Sequence, residues 1–453
     1  MRKTFSSLAL PDIPSGFVNY MSYVLGPEES TQLVAALEHA PSVSIRVNRK
    51  KVSDLISFID RFKEFGPTPV EWCDTGYHLL TRPKFVNDPL LHAGSYYVQE
   101  AASMYYESIV KDLLPKIEGG QPIKVLDMCA APGGKSTAML NALEGDYVLV
   151  ANEYERSRSK ILKENLDKWG DPNVIITNSS SDSFGRLKGY FDIVAVDAPC
   201  SGEGMMRREP VARSQWSPQL VKQCAALQKE ILGNAIEALR PGGYLIFSTC
   251  TFNHEENEHN VEWLHEKGLT IVEDARRFMP HREKCEGLYV VCMQKETGEE
   301  PPVRLPKAKQ SNSRLPDDVV FVRKENLDFE KIGERIYGVP ETLVPTLRFL
   351  MAGKINILGA GTEIASMKGD LAIPSSRQVL SLTFDARKLP IVELSREDAT
   401  GYLQGNPLSL AEGIPKGFIA VTYEGKPLGL MKNIGRRANN LYPAEWRIRT
   451  NRT

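Results

Sequence analysis

Residues 125–140 read VLDMCAAPGGKSTAML, and the fold follows from how such a stretch must be built. The apolar run IKVLDMC (123–129) has the length and composition of a buried strand. Pro132, Gly133 and Gly134 turn the chain, and a helical pattern starts at Lys135. Working outward, YVLVANE (147–153) reads as a strand and RSRSKILKENLDKWG (156–170) as a helix stopped by Gly170. NVIITN (173–178) and FDIVAVDAP (191–199) are strands, and a long helix runs from about 217 to 239, ended by Arg240-Pro241-Gly242-Gly243. YLIFSTC (244–250) is another strand and HEENEHNVEWLHEKG (254–268) another helix. Short apolar strands alternating with amphipathic helices predict an α/β fold, a Rossmann-like, mostly parallel doubly wound sheet.

In such sheets ligands bind at the C-terminal ends of the strands. The loop Cys129-Ala130-Ala131-Pro132-Gly133-Gly134-Lys135 occupies that place. Its glycines let the backbone approach a ligand closely, and the amides opening the next helix bind polar groups. An ordinary strand–helix turn would also contain glycine. A phosphate-binding loop is the rival for Gly134-Lys135-Ser136, but that motif needs glycine where Cys129 stands. Glu153 closes the next strand, 26 residues after Asp127, where a carboxylate can accept hydrogen bonds from both ribose hydroxyls. Read alone, it is equally an exposed helix-cap residue.

Two further stretches carry the chemistry: DAPCSGEGMMRR (197–208) and STCTFNHEENE (248–258). Each follows a buried strand, so Cys200 and Cys250 emerge at the same sheet edge and should converge, although 50 residues separate them. A lone cysteine there is usually a small packed hydrophobe. Two at the mouth of one site, beside Asp197, suggest thiolate chemistry. Carbon 5 of cytosine is a poor nucleophile towards a methyl sulfonium. A thiolate added to carbon 6 makes it enamine-like, and a hydrogen bond to N3, a suitable task for Asp197, assists the addition.

VLDMCAAPGGKS, DAPCSGEGM and STCTFNHEENE resemble the successive motifs of the two-cysteine RNA cytosine-5 methyltransferase family, over roughly residues 95–293. The resemblance implies S-adenosylmethionine as cofactor, Cys250 as the nucleophile on carbon 6, and Cys200 as the group that assists breakdown of the adduct. It places Cys129 to Lys135, Glu153 and Asp197 around the cofactor and the target base. The family commonly has an acidic or amide residue after the third strand to contact adenine. Here that stretch is TNSSSDSF; register puts Ser180 at the position, with Asp182 two residues on. A DNA cytosine-5 enzyme would instead make Cys200 the attacker, but Thr249-Cys250 and the basic C-terminal segment argue against it.

The flanks LPDIPSGFVNYMSYVLGPEES, SIRVNRKK, YYVQEAASM and FIAVTYEGKPLGLMKNIGRRANNLYP resemble YebU/RsmF-type 16S rRNA methyltransferases, and the last of these resembles their PUA-like RNA-binding module. The partner implied is RNA, 16S rRNA of the small ribosomal subunit, at decoding-region cytosines whose modification can affect aminoglycoside binding. A tRNA substrate is the alternative.

Composition agrees. The chain has 453 residues, too many for one core, and is 42% apolar and 25% charged, as in soluble globular proteins. It holds no apolar run of about 18 residues and starts with a poor signal sequence, so no membrane association and a cytoplasmic location are expected. Seven cysteines without paired Cys-x-x-Cys spacing predict no metal site. The net charge of −1 is ordinary, but residues 414–453 hold eight Lys/Arg against Glu424 and Glu445, interleaved with Tyr423, Tyr442 and Trp446, the footprint of an RNA-contacting module. A solvated basic tail would look similar. The expected domains are an N-terminal RNA-binding extension (1–118), the methyltransferase domain (119–296), a polar Pro-rich linker and intermediate α/β segment (297–375), and the PUA-like domain (376–453).

Overall fold

The computed structural model describes residues 11–118, 120–299 and 315–449. The first ten residues, most of the expected linker and Arg452 lie outside these. At the centre is an eight-stranded sheet: β1 (Ile123–Asp127), β2 (Tyr147–Asn152), β3 (Val174–Thr177), β4 (Phe191–Asp197), β5 (Leu239–Thr249), β6 (Leu269–Phe278), β7 (Leu288–Lys295) and β8 (Ile357–Ala360). The spatial order is β6-β7-β5-β4-β1-β2-β3-β8. The five strands β5-β4-β1-β2-β3 are parallel, and β6, β7 and β8 add antiparallel edges. The connecting helices are α1 (Gly134–Ala142), α2 (Arg156–Trp169), α3 (Pro218–Ala238) and α4 (Glu258–Glu266).

Alternation of side chains along each strand supplies both faces of this sheet. Val125, Leu149, Ala151, Ile193 and Ile246 pack on one face with Met139, Leu162 and Leu166 of α1 and α2. Leu126, Val148, Val150, Val194 and Phe247 pack on the other with Ile231, Leu232 and Leu264 of α3 and α4. Gly170, in the left-handed conformation (φ 82°), stops α2 as expected, and a Cβ there would lie 2.1 Å from the carbonyl oxygen of Leu380.

Three differences from the sequence reading have physical causes. The Arg240–Gly243 stretch lies inside β5, which already pairs with Phe191 at Leu239, and a register irregularity with Gly242 at φ 72° absorbs the turn residues. The fourth helix is shorter than its pattern, because Asn253, Glu256 and Asn257 bond the loop before it. Most consequentially, residues 315–375 do not stand apart. They form a four-stranded sheet of Leu327–Ile332, Arg335–Pro340, Thr362–Lys368 and Leu371–Pro374, and contribute β8 to the central sheet edge.

The N-terminal strands Val43–Val47, Thr68–Val70, Cys73–Leu79 and Tyr96–Val98 make their own sheet, as do Ile391–Glu393, Gly417–Tyr423, Lys426–Asn433 and Ala438–Asn440 near the other end. These two modules share one apolar core: Ile45, Val47 and Phe62 with Tyr402, Val421, Leu428 and Trp446. Tyr442 and Trp446, read from sequence as part of an RNA-facing footprint, are therefore buried, 2% and 5% exposed, and cannot stack on bases. Among the described residues no helix is long and apolar enough to cross a membrane, and no group of three His, Cys, Asp or Glu is arranged to hold a metal.

Candidate active site

Parallel pairing aligns the ends of β1, β2, β4 and β5: Asp127 opposite Ala151 and Ala195, Asp197 opposite Ser248. The loops that follow all leave by the same edge. The backbone N–H of Met128 donates to Ala195 (2.9 Å) and that of Ala130 to Asn152 (2.8 Å), so the glycine loop stays tied to its neighbours. Gly133 has φ 110°, a conformation that favours glycine, and α1 begins directly after it. The first-turn amides of α1 are thus free of intrahelical partners.

Beneath the loop, the buried Asp127 carboxylate accepts from the Ser136 hydroxyl (2.6 Å). Burial pushes its pKa up to about 7 against that hydrogen bond. The Cys129 thiol is also driven up, by burial and then by the charges of Asp127, Asp197 and Glu153, so it stays protonated. Glu153 is buried at the end of β2. One of its oxygens accepts the Glu155 N–H (2.8 Å), and the other lies 3.5 Å from the Arg158 guanidinium. Ser180 caps the short helix Ser181–Gly185, its hydroxyl turned to the Asp182 carboxylate. The donor set suits a nucleoside-bearing cofactor with an amino-acid tail: free amides for a carboxylate, and Glu153 for ribose hydroxyls.

Across the edge, Cys200 Sγ and Cys250 Sγ lie 3.1 Å apart. The hydrogen bond to Cys250, followed by burial, holds the Cys200 thiol protonated. Lys135 Nζ donates to Asp197 Oδ2 (2.8 Å), and Ser248 Oγ donates to Asp197 Oδ1 (2.7 Å). Burial works against the Lys135 charge, but the Asp197 carboxylate outweighs it, so its pKa is raised. The Tyr106 hydroxyl, fully buried, is 2.8 Å from Ser248 Oγ and completes a chain into Asp197. Cys200, Cys250, Asp197 and Lys135 are therefore brought together, with the glycine loop and Glu153 along the same edge.

The residues that hold the two cysteine loops were not singled out in sequence. Glu203, fully buried, accepts from Trp216 Nε1 (3.0 Å), the backbone N–H groups of Phe252 (2.6 Å) and Asn253 (3.1 Å), Asn253 Nδ2 (3.1 Å) and Thr251 Oγ1 (2.5 Å). Glu256 accepts from the Ser201 N–H (3.0 Å), Gln228 Nε2 (2.8 Å) and Asn253 Nδ2 (2.8 Å). The Gly204 N–H donates to the Cys250 carbonyl (2.8 Å). Each carboxylate thus crosses from one cysteine loop to the other. Arg46, fully buried, donates to the Thr137 carbonyl (3.1 Å), Thr137 Oγ1 (2.6 Å) and Gln99 Oε1 (2.7 Å), fixing the first turn of α1. The only sequence signal for these was polar residues inside apolar or motif stretches.

Residues 117–294 match the family described as 16S rRNA methyltransferase RsmB/F, residues 13–101 the N-terminal domain of 16S rRNA methyltransferase RsmF, and residues 389–448 the methyltransferase RsmF PUA domain. The chain is 30% identical to ribosomal RNA small subunit methyltransferase F of Cronobacter sakazakii, over 97% of each chain. It is 31% identical to the protein of the same name from an Enterobacter species, over 91% of each. Among solved structures, a methyltransferase homolog protein from Pyrococcus horikoshii is 27% identical with a TM-score of 0.53, covering 62% of this chain and 94% of that one. With this likeness over nearly its whole length, the chain belongs to the RsmF family of ribosomal RNA small subunit methyltransferases, enzymes that take their methyl group from S-adenosylmethionine.

Proposed function

We propose that this protein methylates carbon 5 of cytosine in 16S rRNA near the decoding region through a covalent adduct of Cys250 with carbon 6. The observation that carries the reading is the pair of sulfurs 3.1 Å apart beside the Lys135–Asp197 ion pair. The relatives' names, small subunit methyltransferases, favour rRNA over the tRNA alternative. In the domain reading, residues 1–118 and 376–453 hold RNA around the catalytic 119–296.

S-adenosylmethionine supplies an electrophilic methyl group. The loop from Cys129 to Lys135 would hold its carboxylate on the free first-turn amides of α1, Glu153 would accept from its ribose hydroxyls, and Ser180 would lie towards its adenine. Asp197, whose oxygens accept from Lys135 Nζ and Ser248 Oγ, accepts a further hydrogen bond from cytosine N3 once N3 takes a proton from solvent as carbon 6 is attacked. The Cys250 thiolate adds to carbon 6, and carbon 5 then carries the electron pair that takes the methyl group. Release removes the proton from carbon 5, restores the ring double bond and breaks the sulfur–carbon bond.

Cys200, its sulfur 3.1 Å from that of Cys250, stands where a second thiol can assist breakdown of the adduct once Cys250 is bonded to carbon 6. Bisulfite sequencing of total RNA with and without the gene tests the reaction: loss of one or more 16S rRNA cytosine signals is expected, and loss confined to tRNA would sink the rRNA assignment.

A further inference from the structure

Residues 295–388 lie between the matched family regions, and the structure gives the described residues 315–388 of this stretch a place beside the site. Between α2 and the 327–374 sheet runs an open groove of about 610 Å³. It begins at the C-terminal edge of the central sheet, where the Asn178 N–H donates to the Asn356 carbonyl (2.9 Å) and Asn356 N–H to Ser179 Oγ (3.0 Å). That is the edge that carries Glu153 and, further along it, both cysteines. We propose that this groove binds the phosphate backbone of the RNA substrate at nucleotides flanking the target, an inference that rests on the RNA methyltransferase reading above.

The charges support an anionic polymer. Arg156, Lys160, Lys163 and Arg335 line the groove against the single carboxylate of Glu334. Buried Glu363 lies 3.5 Å from Lys163 and 2.7 Å from Arg335, which fixes those two cations in the walls. Arg156 and Lys160 form no ion pair with any described residue, and both are exposed on one side of α2. Two cations held rigid and two free to reach outward suit a polyanion that must be both located and gripped. Within the groove itself Tyr337, Ile332, Ile357 and Leu358 add an aromatic and apolar part to the lining.

Distance separates this surface from the chemistry. From β5, which bears Cys250, to β3, where the groove starts, is four strand steps, roughly 19 Å at about 4.8 Å each. The groove therefore contacts RNA away from the reacting cytosine and should govern affinity rather than turnover.

The test is charge reversal with Arg156→Glu and Lys160→Glu together in the full-length protein. Arg156 opens α2, where the helix dipole favours an acidic residue, and Lys160 is exposed, so the fold is preserved. Fluorescence anisotropy with a decoding-region 16S rRNA hairpin should show affinity lowered about 10-fold or more, and a log Kd against log salt slope reduced by about 1.5–2. Methyl transfer should show raised KM and unchanged kcat, with unchanged S-adenosylhomocysteine binding. Wild-type affinity and slope in the double variant, with the Cys250 adduct still formed, would overturn the groove while leaving the reaction standing. So would an intact RNA affinity accompanied by loss of an acidic protein partner. If the wild type neither binds nor methylates the hairpin, it is the underlying RNA reading that fails.

Discussion

The catalytic edge and the groove beside it handle charge in opposite ways. Around the cysteines, Glu203 and Glu256 have both oxygens taken by partners inside the protein, and Lys135 and Asp197 are paired with each other. On the outer side of α2, Arg156 and Lys160 have no such partners among the described residues. Satisfied buried charges position reacting groups at high cost if broken. Unpaired surface cations stabilise little by themselves and remain available for a ligand. The comparison predicts that substitutions at the edge damage fold and chemistry, whereas those outside change RNA affinity and its salt dependence.

The largest effect on stability is expected from Glu203→Ala. It leaves the buried donors of Trp216, Phe252 and Asn253 without an acceptor and should cost about 3 kcal/mol or more, read by urea unfolding. A cost no greater than that of a surface substitution would break the claim that this carboxylate clamps the two loops.

A pH dependence comes next. Burial raises the Asp127 carboxyl to about 7, above an ordinary aspartate value near 3.9. Between those values the cofactor-free folded protein binds more protons there than the unfolded chain, so this group's contribution to stability falls as pH rises from about 4 through about 7. Unfolding at pH 5 and pH 8 should show that decline in the wild type and a flatter profile in Asp127→Asn. An identical slope in both would remove Asp127 as its source.

Glu153→Ala should weaken S-adenosylhomocysteine by about 1.5–3 kcal/mol in calorimetry, because the ribose hydroxyls no longer meet a charged acceptor. Unchanged binding would place the ribose elsewhere. The smallest effect belongs to the C-terminal module. Deleting residues 376–453 would expose the core shared with the N-terminal sheet, so surface substitution is the cleaner probe. Arg436→Ser with Arg437→Ser should leave turnover intact and lower the salt slope of RNA binding by about 0.7–0.9 for each phosphate that is no longer neutralised. No change in slope would confine RNA contacts to other surfaces.

The parallel sheet and the convergence of Cys200 with Cys250 were legible because both rest on local signals. Apolar runs set the strands, glycines punctuate them, and parallel strands send the following loops to one edge. The clamps were not legible. Glu203 reaches Phe252 and Arg46 reaches Thr137 across long stretches of chain, and nothing in either local sequence names its partner. Strand β8 escaped for the same reason: four residues whose pairing is with Ile175–Thr177. The C-terminal aromatics misled, since Tyr442 and Trp446 alternate with cations yet serve a core built jointly with residues near the other end of the chain.

The central claim, that Cys250 forms the adduct and Cys200 resolves it, is tested most directly by trapping. Each single variant and the double variant are incubated with target RNA and S-adenosylmethionine, then run on a denaturing gel. Cys200→Ala should accumulate a protein–RNA complex that survives denaturation, while Cys250→Ala and the Cys200→Ala/Cys250→Ala double variant should give none. A stable complex in Cys250→Ala and none in Cys200→Ala would contradict the account and exchange the roles of the two sulfurs.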